Sequence, residues 1–582
     1  MESIITSNKT LGAVVPNIAT MLAGNVAKWP DKIVFQWKQE HKYTGITWKN
    51  FYNDILNIAF NLKKVGFREG DKMVIFSPNR LEMLELELAV MASGGIAVPI
   101  FAFFHQETAE LLINHSDAKY LAVAGELQLS RLNNISVKDI FVFDKQEKKF
   151  FSNQYSFDEL LAERTDTSFP LLTNAAPDDT CLNMYTSGTM GIPKCVQLSH
   201  KNILSQQAGL SLFWNVTSTD RFLSYLPWHH SFGGIFELFS ALYNGATYSL
   251  DSGLGKDPSV ILENWKLVQP TVFFSVPKVY QLLIELTRQD HEAEKIFFHS
   301  QLKFIFTAAA SLPQKLSDEF EKRQIPVIEG WGLTETSPCC TLTDPTKKRE
   351  PGVVGFPLPG VTIRLADDGE ILVKGPNVMK GYYKNDEANK GIFTNDGWFC
   401  TGDVGEMTDK GLKLITRKDR IFKLSNGEKV VPTDLEKLIE LKCHYISFAM
   451  VEGNGKEYPV ALLFANKKLL ERPDYAISPE EGCFCPRNLS ELSNCLRGCL
   501  QNANCGIGQK FAKIKSAMII AEELSLDKGT LTPSMKVVPK NVVKTYKAHL
   551  ENLYGAENLV DSEVYVIHLS DTEGASEKTI TV

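Results

Sequence analysis

The sequence predicts an α/β protein: a large, multi-subdomain N-terminal domain with mostly parallel sheets and a β-rich subdomain, followed by a smaller α+β C-terminal domain. Three observations carry this. Short runs rich in Val, Ile and Phe (KMVIFS at 72–77, TVFFSVP at 271–277, KFIFTAAA at 303–310, PVIEGWG at 326–332) alternate with helix-period patterns, as parallel strands joined by helices do. After about residue 360 the texture changes to short strands separated by Gly and Asp turns, VTIRLADDGEILVKGP and GEMTDKGLKLITRKDR, which read as hairpins. From about residue 420 a strand-turn pattern, IFKLSNGEKVVP, leads into a helix with Thr433 as N-cap and Glu436 at its third position. The resulting division is 1–418 and 419–582, with an insertion over about 467–510 and a polar, frayed tail over about 569–582.

Composition excludes several classes of function. At 582 residues, 44% apolar and 23% charged, the chain is globular and long enough for roughly two to four domains. A formal charge of −7 offers no broad positive field, so nucleic-acid binding is not expected and any phosphate must be gripped locally. The 11 cysteines are an odd number and mostly scattered (Cys181, Cys195, Cys400, Cys443), which reads as a reducing compartment. Five cluster at Cys483, Cys485, Cys495, Cys499 and Cys505, yet without the paired C-x2-C spacing of a zinc site. The N-terminus has no basic region ahead of an apolar run, so a cytoplasmic location is expected. The most apolar stretch, 88–104, contains Gly94, Gly95 and Pro99 and reads as buried strand and helix ends, not as a membrane span.

The chemistry begins at MYTSGTMGIPKCVQLSH, residues 184–200. Two glycines (Gly188, Gly191), three hydroxyl residues (Thr186, Ser187, Thr189) and Lys194 crowd into nine positions. Glycines let backbone N–H groups approach an anion, hydroxyls donate to phosphate oxygens and the ammonium neutralises charge. It is not a Walker A loop, because Lys194 does not follow Gly191 directly and no Ser or Thr follows Lys194. The absence of a D-F-G triplet argues against a protein kinase.

This ordered T-S-G-T-x-G-x-P-K string resembles the phosphate loop of the adenylate-forming superfamily of acyl-CoA synthetases, luciferases and peptide-synthetase adenylation domains, and further matches follow in the family's order over roughly residues 20–555. TAAASLP (307–313), containing Ala309, is similar to the loop that borders adenine and the acyl carbonyl. EGWGLTET (329–336) resembles the aromatic-Gly-x-Thr-Glu motif: Trp331, with Gly332, would flank adenine, Thr334 would bind the α-phosphate and Glu335 would hold Mg²⁺, which prefers hard oxygen ligands. In TGDVGEMTDKG, Asp403 would accept both ribose hydroxyls, with Arg417 donating to the same sugar. Asp419 falls at the family's inter-domain hinge, which implies a mobile C-terminal lid. LTPSMKVVPKNVV (531–543) resembles the final motif, with Lys536 at the position of the catalytic lysine, where a mobile ammonium stabilises charge developing on the phosphate. In LPWHHSFGG (226–234), His230 occupies the acyl-side histidine position and is read as lining the acyl or pantetheine channel. The apolar helix pattern IFELFSALYNG that follows could wall the acyl site, although such a stripe is more often plain core.

Two stretches, RKDRIFKLSNGEKVVPTDLE and LTPSMKVVPKNVV, look like long-chain fatty acyl-CoA synthetases, and in the first Gly427 and Glu428 would shape the thiol channel. Two departures fall inside the phosphate loop: Met190 stands where the family usually has Thr, and Cys195 where it has Gly. A lost hydroxyl removes at most one charge-assisted hydrogen bond, worth about 1.5–3 kcal/mol. The resemblance implies a long-chain fatty acid–CoA ligase: ATP and a fatty carboxylate give acyl-AMP and pyrophosphate, then coenzyme A takes the acyl group, with Mg²⁺ as cofactor. Loading of a carrier-protein phosphopantetheine, a luciferase-like oxygenase and a non-catalytic acyl or nucleotide sensor stay open beside it. The implied partners are fatty acid, ATP and coenzyme A. Peripheral membrane contact would suit a water-insoluble substrate, but no basic amphipathic helix is evident.

Overall fold

The computed structural model describes residues 4–186, 193–308, 312–443, 445–470, 486–525, 528–532, 537–555 and 564–569. The chain divides into two compact units: 1–401 with 405–414, and 402–404 with 415–582.

The first unit is built on two sheets. In the larger, the strands Ile33–Gln39, Thr247–Leu250, Arg221–Ser224, Val272–Ser275, Phe304–Thr307 and Val327–Gly332 lie side by side in parallel. The central runs VFFS and FIFT show no alternation, as expected of strands buried on both faces. All four residues of Val272–Ser275 and of Phe304–Thr307 are buried. Loops leaving the carboxyl ends of such strands are where ligands sit in α/β sheets, and these ends carry Ser275, Thr307 and the Gly330–Gly332 segment. The hairpins expected after residue 360 form as Thr362–Leu365 with Glu370–Lys374 and as Phe399–Thr408 with Gly411–Arg417. They extend the same sheet through antiparallel strands Cys339–Leu342 and Val353–Pro357.

The second sheet holds Lys72–Phe76 at its centre, with Ile96–Ile100 and Tyr120–Val123 parallel on either side. At one edge Thr180–Thr186 and Lys194–Ser199 form an antiparallel hairpin in which Thr186 faces Lys194. The short strand Gly381–Tyr382 pairs with the outer member. The apolar stretch 88–104 forms the end of the helix Leu81–Ala92 and the buried strand Ile96–Ile100. No helix among the described residues is long and apolar enough to cross a membrane.

In the second unit, the strands Ile446–Glu452, Val460–Ala465, Ser516–Ile520 and Val564–His568 form one sheet. Its parallel central pair requires a long crossover. That crossover includes the helix Leu489–Cys505, which lies inside the expected insertion and contributes Leu492, Leu496 and Leu500 to the domain's core at a spacing of four. The helix expected to begin at Thr433 instead runs Pro432–Lys442, with Val431 as N-cap. Pro432 takes the first position because its missing N–H is not needed there. The Thr433 hydroxyl donates to Thr416 Oγ1 at 2.9 Å, and Glu436 pairs with Arg420 and accepts the Val451 N–H at 2.8 Å. The tail beyond 569 lies outside the described residues.

Candidate active site

Of the phosphate-loop candidates, Thr186 and Lys194 are described; Ser187, Gly188, Thr189 and Gly191, together with Met190, lie outside the described residues. Thr186 and Lys194 are the paired ends of the hairpin that carries the loop, with Thr186 Oγ1 donating to Lys194 O at 3.4 Å. The Lys194 ammonium sits 4.8 Å from the centre of the Tyr382 ring, a cation–π contact that orients the charge without neutralising it. Cys195 takes the opposite face of the strand, as alternation requires. It is buried, its thiol is hydrogen-bonded with Tyr185, and burial raises it to about 12, so it stays protonated in the core.

The turn Thr334–Thr336 leaves the end of the Val327–Gly332 strand. At Gly332 any side chain is excluded, because a Cβ would lie 1.7 Å from the Pro338 carbonyl oxygen. The turn is held from one side by one amide side chain and one backbone N–H: Asn377 Nδ2 donates to Thr336 O (2.9 Å) and Cys339 O (3.2 Å), and the Met379 N–H donates to Glu335 O at 2.8 Å. Asn202 in turn grips Pro376 O and Val378 O at 2.8 and 2.9 Å. With its backbone fixed this way, Glu335 accepts a hydrogen bond from Tyr382 Oη at 2.7 Å on Oε1. Thr334 Oγ1 lies 3.0 Å from Ser231 Oγ.

Ser231 belongs to the His230 segment. The Asn79 amide clamps that segment by donating to Leu226 O (2.8 Å) and accepting from Trp228 N–H (3.0 Å), mimicking a strand partner. Gly234 lets the next turn close, since a Cβ there would lie 2.0 Å from Trp228 O. The Phe232 N–H donates to His230 Nδ1 at 3.2 Å, which leaves the proton of the neutral ring on Nε2. His229 packs on Phe101 with ring centres 5.0 Å apart, and burial lowers its imidazole to about 4. The two histidines therefore have different surroundings. A π-helix, Phe232–Glu237, follows. Its Phe232 and Phe236 rings pack on Phe306, 5.7 and 4.7 Å between centres. The IFELFSALYNG stripe is thus largely core, with Ile235, Phe236, Leu238 and Phe239 buried.

The structure links Lys194 to Glu335 through Tyr382 and joins Thr334 to the His230 segment through Ser231; sequence reasoning missed both of these supporting residues. The only signal for Tyr382 was an aromatic after Gly381. Trp331 is buried on the same strand as Gly332. Ala309 lies outside the described residues.

In the second unit, Arg417 Nη1 donates to Asp403 Oδ1 at 3.0 Å, with Asp403 mostly buried and Arg417 about half exposed. Gly427 and Glu428 form the tip of the hairpin between Phe422–Lys423 and Lys429–Val430, where Leu424 N–H donates to Glu428 O and Gly427 N–H to Leu424 O, both at 2.9 Å. Lys536, Cys483 and Cys485 lie outside the described residues. Cys495, Cys499 and Cys505 sit on the helix Leu489–Cys505, and no group of three or more His, Cys, Asp or Glu among the described residues is placed to hold a metal ion. Glu335 with the phosphates of a nucleotide remains the donor set suited to Mg²⁺, since a carboxylate and phosphate oxygens together supply the hard ligands that ion prefers.

Residues 22–383 match the model of the AMP-binding enzyme family, and residues 419–558 match that of the AMP-binding enzyme C-terminal domain. The chain is 26% identical to the long-chain-fatty-acid–CoA ligase FadD15 of Mycobacterium bovis, over 93% of this chain and 97% of that protein. It is 27% identical to the 2-succinylbenzoate–CoA ligase of Oceanobacillus iheyensis, over 76% of this chain and 88% of that protein. In fold it resembles the O-succinylbenzoate coenzyme A synthetase MenE from Bacillus subtilis in complex with ATP and magnesium ion, with a TM-score of 0.70, 23% identity, and coverage of 91% of this chain and 99% of that one. The chain belongs to the AMP-binding enzymes, the adenylate-forming superfamily that its motifs resemble.

Proposed function

We propose that this AMP-binding enzyme is a long-chain fatty acid–CoA ligase, which activates a fatty carboxylate with ATP to acyl-AMP and passes the acyl group to coenzyme A. The observation that carries the reading is the chain of contacts Lys194–Tyr382–Glu335, with Thr334 next to Glu335 in the sequence. It is a phosphate-neutralising cation, a hydroxyl and a hard carboxylate within one unit, at the carboxyl end of a parallel strand. The FadD15 likeness over nearly the whole of both chains supports the long-chain assignment.

In the first step the substrate carboxylate attacks the α-phosphorus, an oxygen–phosphorus bond forms, and the bond to pyrophosphate breaks. Lys194 counters charge on the phosphates and Thr334 hydrogen-bonds the α-phosphate. Glu335 would hold Mg²⁺, which would neutralise charge on the polyphosphate. Trp331 flanks adenine, while Asp403 and Arg417 take the ribose hydroxyls. Lys536 provides the ammonium for charge that develops as the leaving group departs. In the second step the thiolate of coenzyme A attacks the acyl carbonyl and AMP leaves, with His230, Gly427 and Glu428 lining the thiol and acyl paths.

A second reading, a compact ring-bearing acid, is favoured by the 2-succinylbenzoate–CoA ligase likeness. One experiment separates the two: ATP–pyrophosphate exchange across carboxylic acids of graded length and ring content, with and without coenzyme A, and with nucleotide products resolved. Exchange that peaks with long aliphatic acids and yields AMP supports the proposal, whereas exchange confined to aryl acids supports the second reading. Formation of ADP, or no exchange with any acid, overturns both.

A further inference from the structure

The Glu329 side chain makes two hydrogen bonds to the Arg349 guanidinium, Nε to Oε2 at 2.6 Å and Nη2 to Oε1 at 2.9 Å, with only 5% and 2% of the two side chains exposed. Glu329 also accepts the Leu312 N–H on Oε1 at 2.9 Å, and Arg349 Nη2 donates to Leu312 O. The guanidinium reaches Gln314 Oε1 as well, at 3.3 Å from Nη1.

The location gives this pair its meaning. Thr307 pairs with Glu329 in the parallel sheet, so the backbone of Glu329 holds the point where the chain enters the 308–311 segment. Its carboxylate holds Leu312, where the chain leaves that segment. Thr307 and Leu312 are thus both fastened to one residue, which lies two positions before Trp331 on the same strand. Glu329 is itself immobilised: its N–H donates to Thr343 Oγ1, and its carbonyl accepts from the Thr343 N–H, both at 2.9 Å.

A buried ion pair is a poor way to gain stability, because the cost of desolvating both charges offsets their attraction and an apolar pair of like volume often serves as well. What the fork of an arginine adds is direction: a planar, bidentate grip with donors to spare for a backbone carbonyl. We infer that Arg349 is a positioning residue of the nucleotide site, holding Glu329 and Leu312 so that Trp331, two positions further along the strand, keeps its place against adenine. This rests on the functional reading above.

The test is AMP and ATP binding by calorimetry, alongside KM values for ATP and for the acid. Arg349→Met is expected to weaken AMP binding at least tenfold and raise the KM for ATP by a similar factor, with the acid's KM changed less than threefold. Arg349→Lys, which keeps the charge and loses the fork, is expected to fall between. The double variant Glu329→Gln/Arg349→Met removes both charges and guards against misfolding caused by one orphaned ion. It is expected to melt near the wild-type temperature and still bind AMP weakly. Recovery of AMP affinity in the double variant, or equal affinities of wild type and Arg349→Met, overturns the role of Arg349 alone. Failure of the wild-type protein to bind AMP overturns the functional reading as well.

Discussion

Tyr382 donates its phenolic hydrogen to Glu335 Oε1 at 2.7 Å while the Lys194 ammonium rests 4.8 Å from the centre of the same ring, so one aromatic side chain sets the distance between the site's carboxylate and its cation. Tyr382 comes from an edge strand, Gly381–Tyr382, that pairs with Lys194–Ser199, and its backbone and side chain therefore act on the same phosphate-binding region. This arrangement predicts separable effects for its two contacts. Tyr382→Phe keeps the ring beneath Lys194 and removes the hydrogen bond to Glu335. The bond fixes the orientation of the carboxylate, so without it the Mg²⁺ concentration needed for half-maximal pyrophosphate exchange should rise severalfold. An unchanged Mg²⁺ requirement would show that Glu335 needs no help from Tyr382.

The Asp403–Arg417 pair makes a prediction about the sugar. If its carboxylate accepts the ribose hydroxyls, the wild-type protein should prefer ATP to 2′-deoxy-ATP. Asp403→Asn should weaken ATP binding and shrink that preference toward unity. A variant that loses affinity equally for both nucleotides would assign Asp403 to the fold.

Lys536 is assigned to the first half-reaction only. Lys536→Ala should lower ATP–pyrophosphate exchange by at least two orders of magnitude while sparing thioester formation from preformed acyl-AMP and coenzyme A, as measured by single-turnover assays of each step. Equal loss of both half-reactions would remove it from that role.

A fourth prediction concerns stability and pH. Glu87, on the buried face of the Leu81–Ala92 helix, is 1% exposed, and its Oε2 makes no hydrogen bond. Burial raises its carboxyl from the ordinary 4.5 to about 8. The folded protein then holds a proton that the unfolded chain releases, so stability falls as pH rises from about 4.5 toward 8, by up to about 1.4 kcal/mol per pH unit. Glu85, on the same helix and also pushed upward by burial, adds to the trend. Glu87→Gln cannot ionise and should flatten the dependence of the urea midpoint on pH across that interval. Parallel curves for wild type and variant would mean that Glu87 is ionised in the folded state.

Much of the site was legible in the linear chain because its chemistry is local. Thr186 and Lys194 bracket one loop, Trp331 to Glu335 lie on one strand-turn segment, and the apolar runs 72–76, 272–275, 304–307 and 327–332 are the strands that carry them. A parallel strand buried on both faces must be apolar throughout, and the turn after it must carry small and polar residues, so both leave a mark on neighbouring positions. The start of the helix at Pro432 was misread for a related reason: Thr433 and Glu436 have the spacing of a capping box, but their side chains are taken up by Thr416, Arg420 and Val451 N–H, groups distant in sequence.

What only the tertiary structure decided is the support around those motifs. Tyr382 meets Glu335 across 47 positions and Ser231 meets Thr334 across 103, while Asn79 grips the His230 segment from 147 positions away. Arg349 reaches back 37 positions to Leu312. None of these contacts has a period or spacing, because each is fixed by which sheet edge or turn happens to close against another. The sequence by itself determined the α/β class and the family, and it marked the groups proposed to react, since backbone conformation and phosphate chemistry restrict residue type locally. Folding determined which side chains hold those groups still, since a hydrogen bond depends on distance in space and is indifferent to distance along the chain.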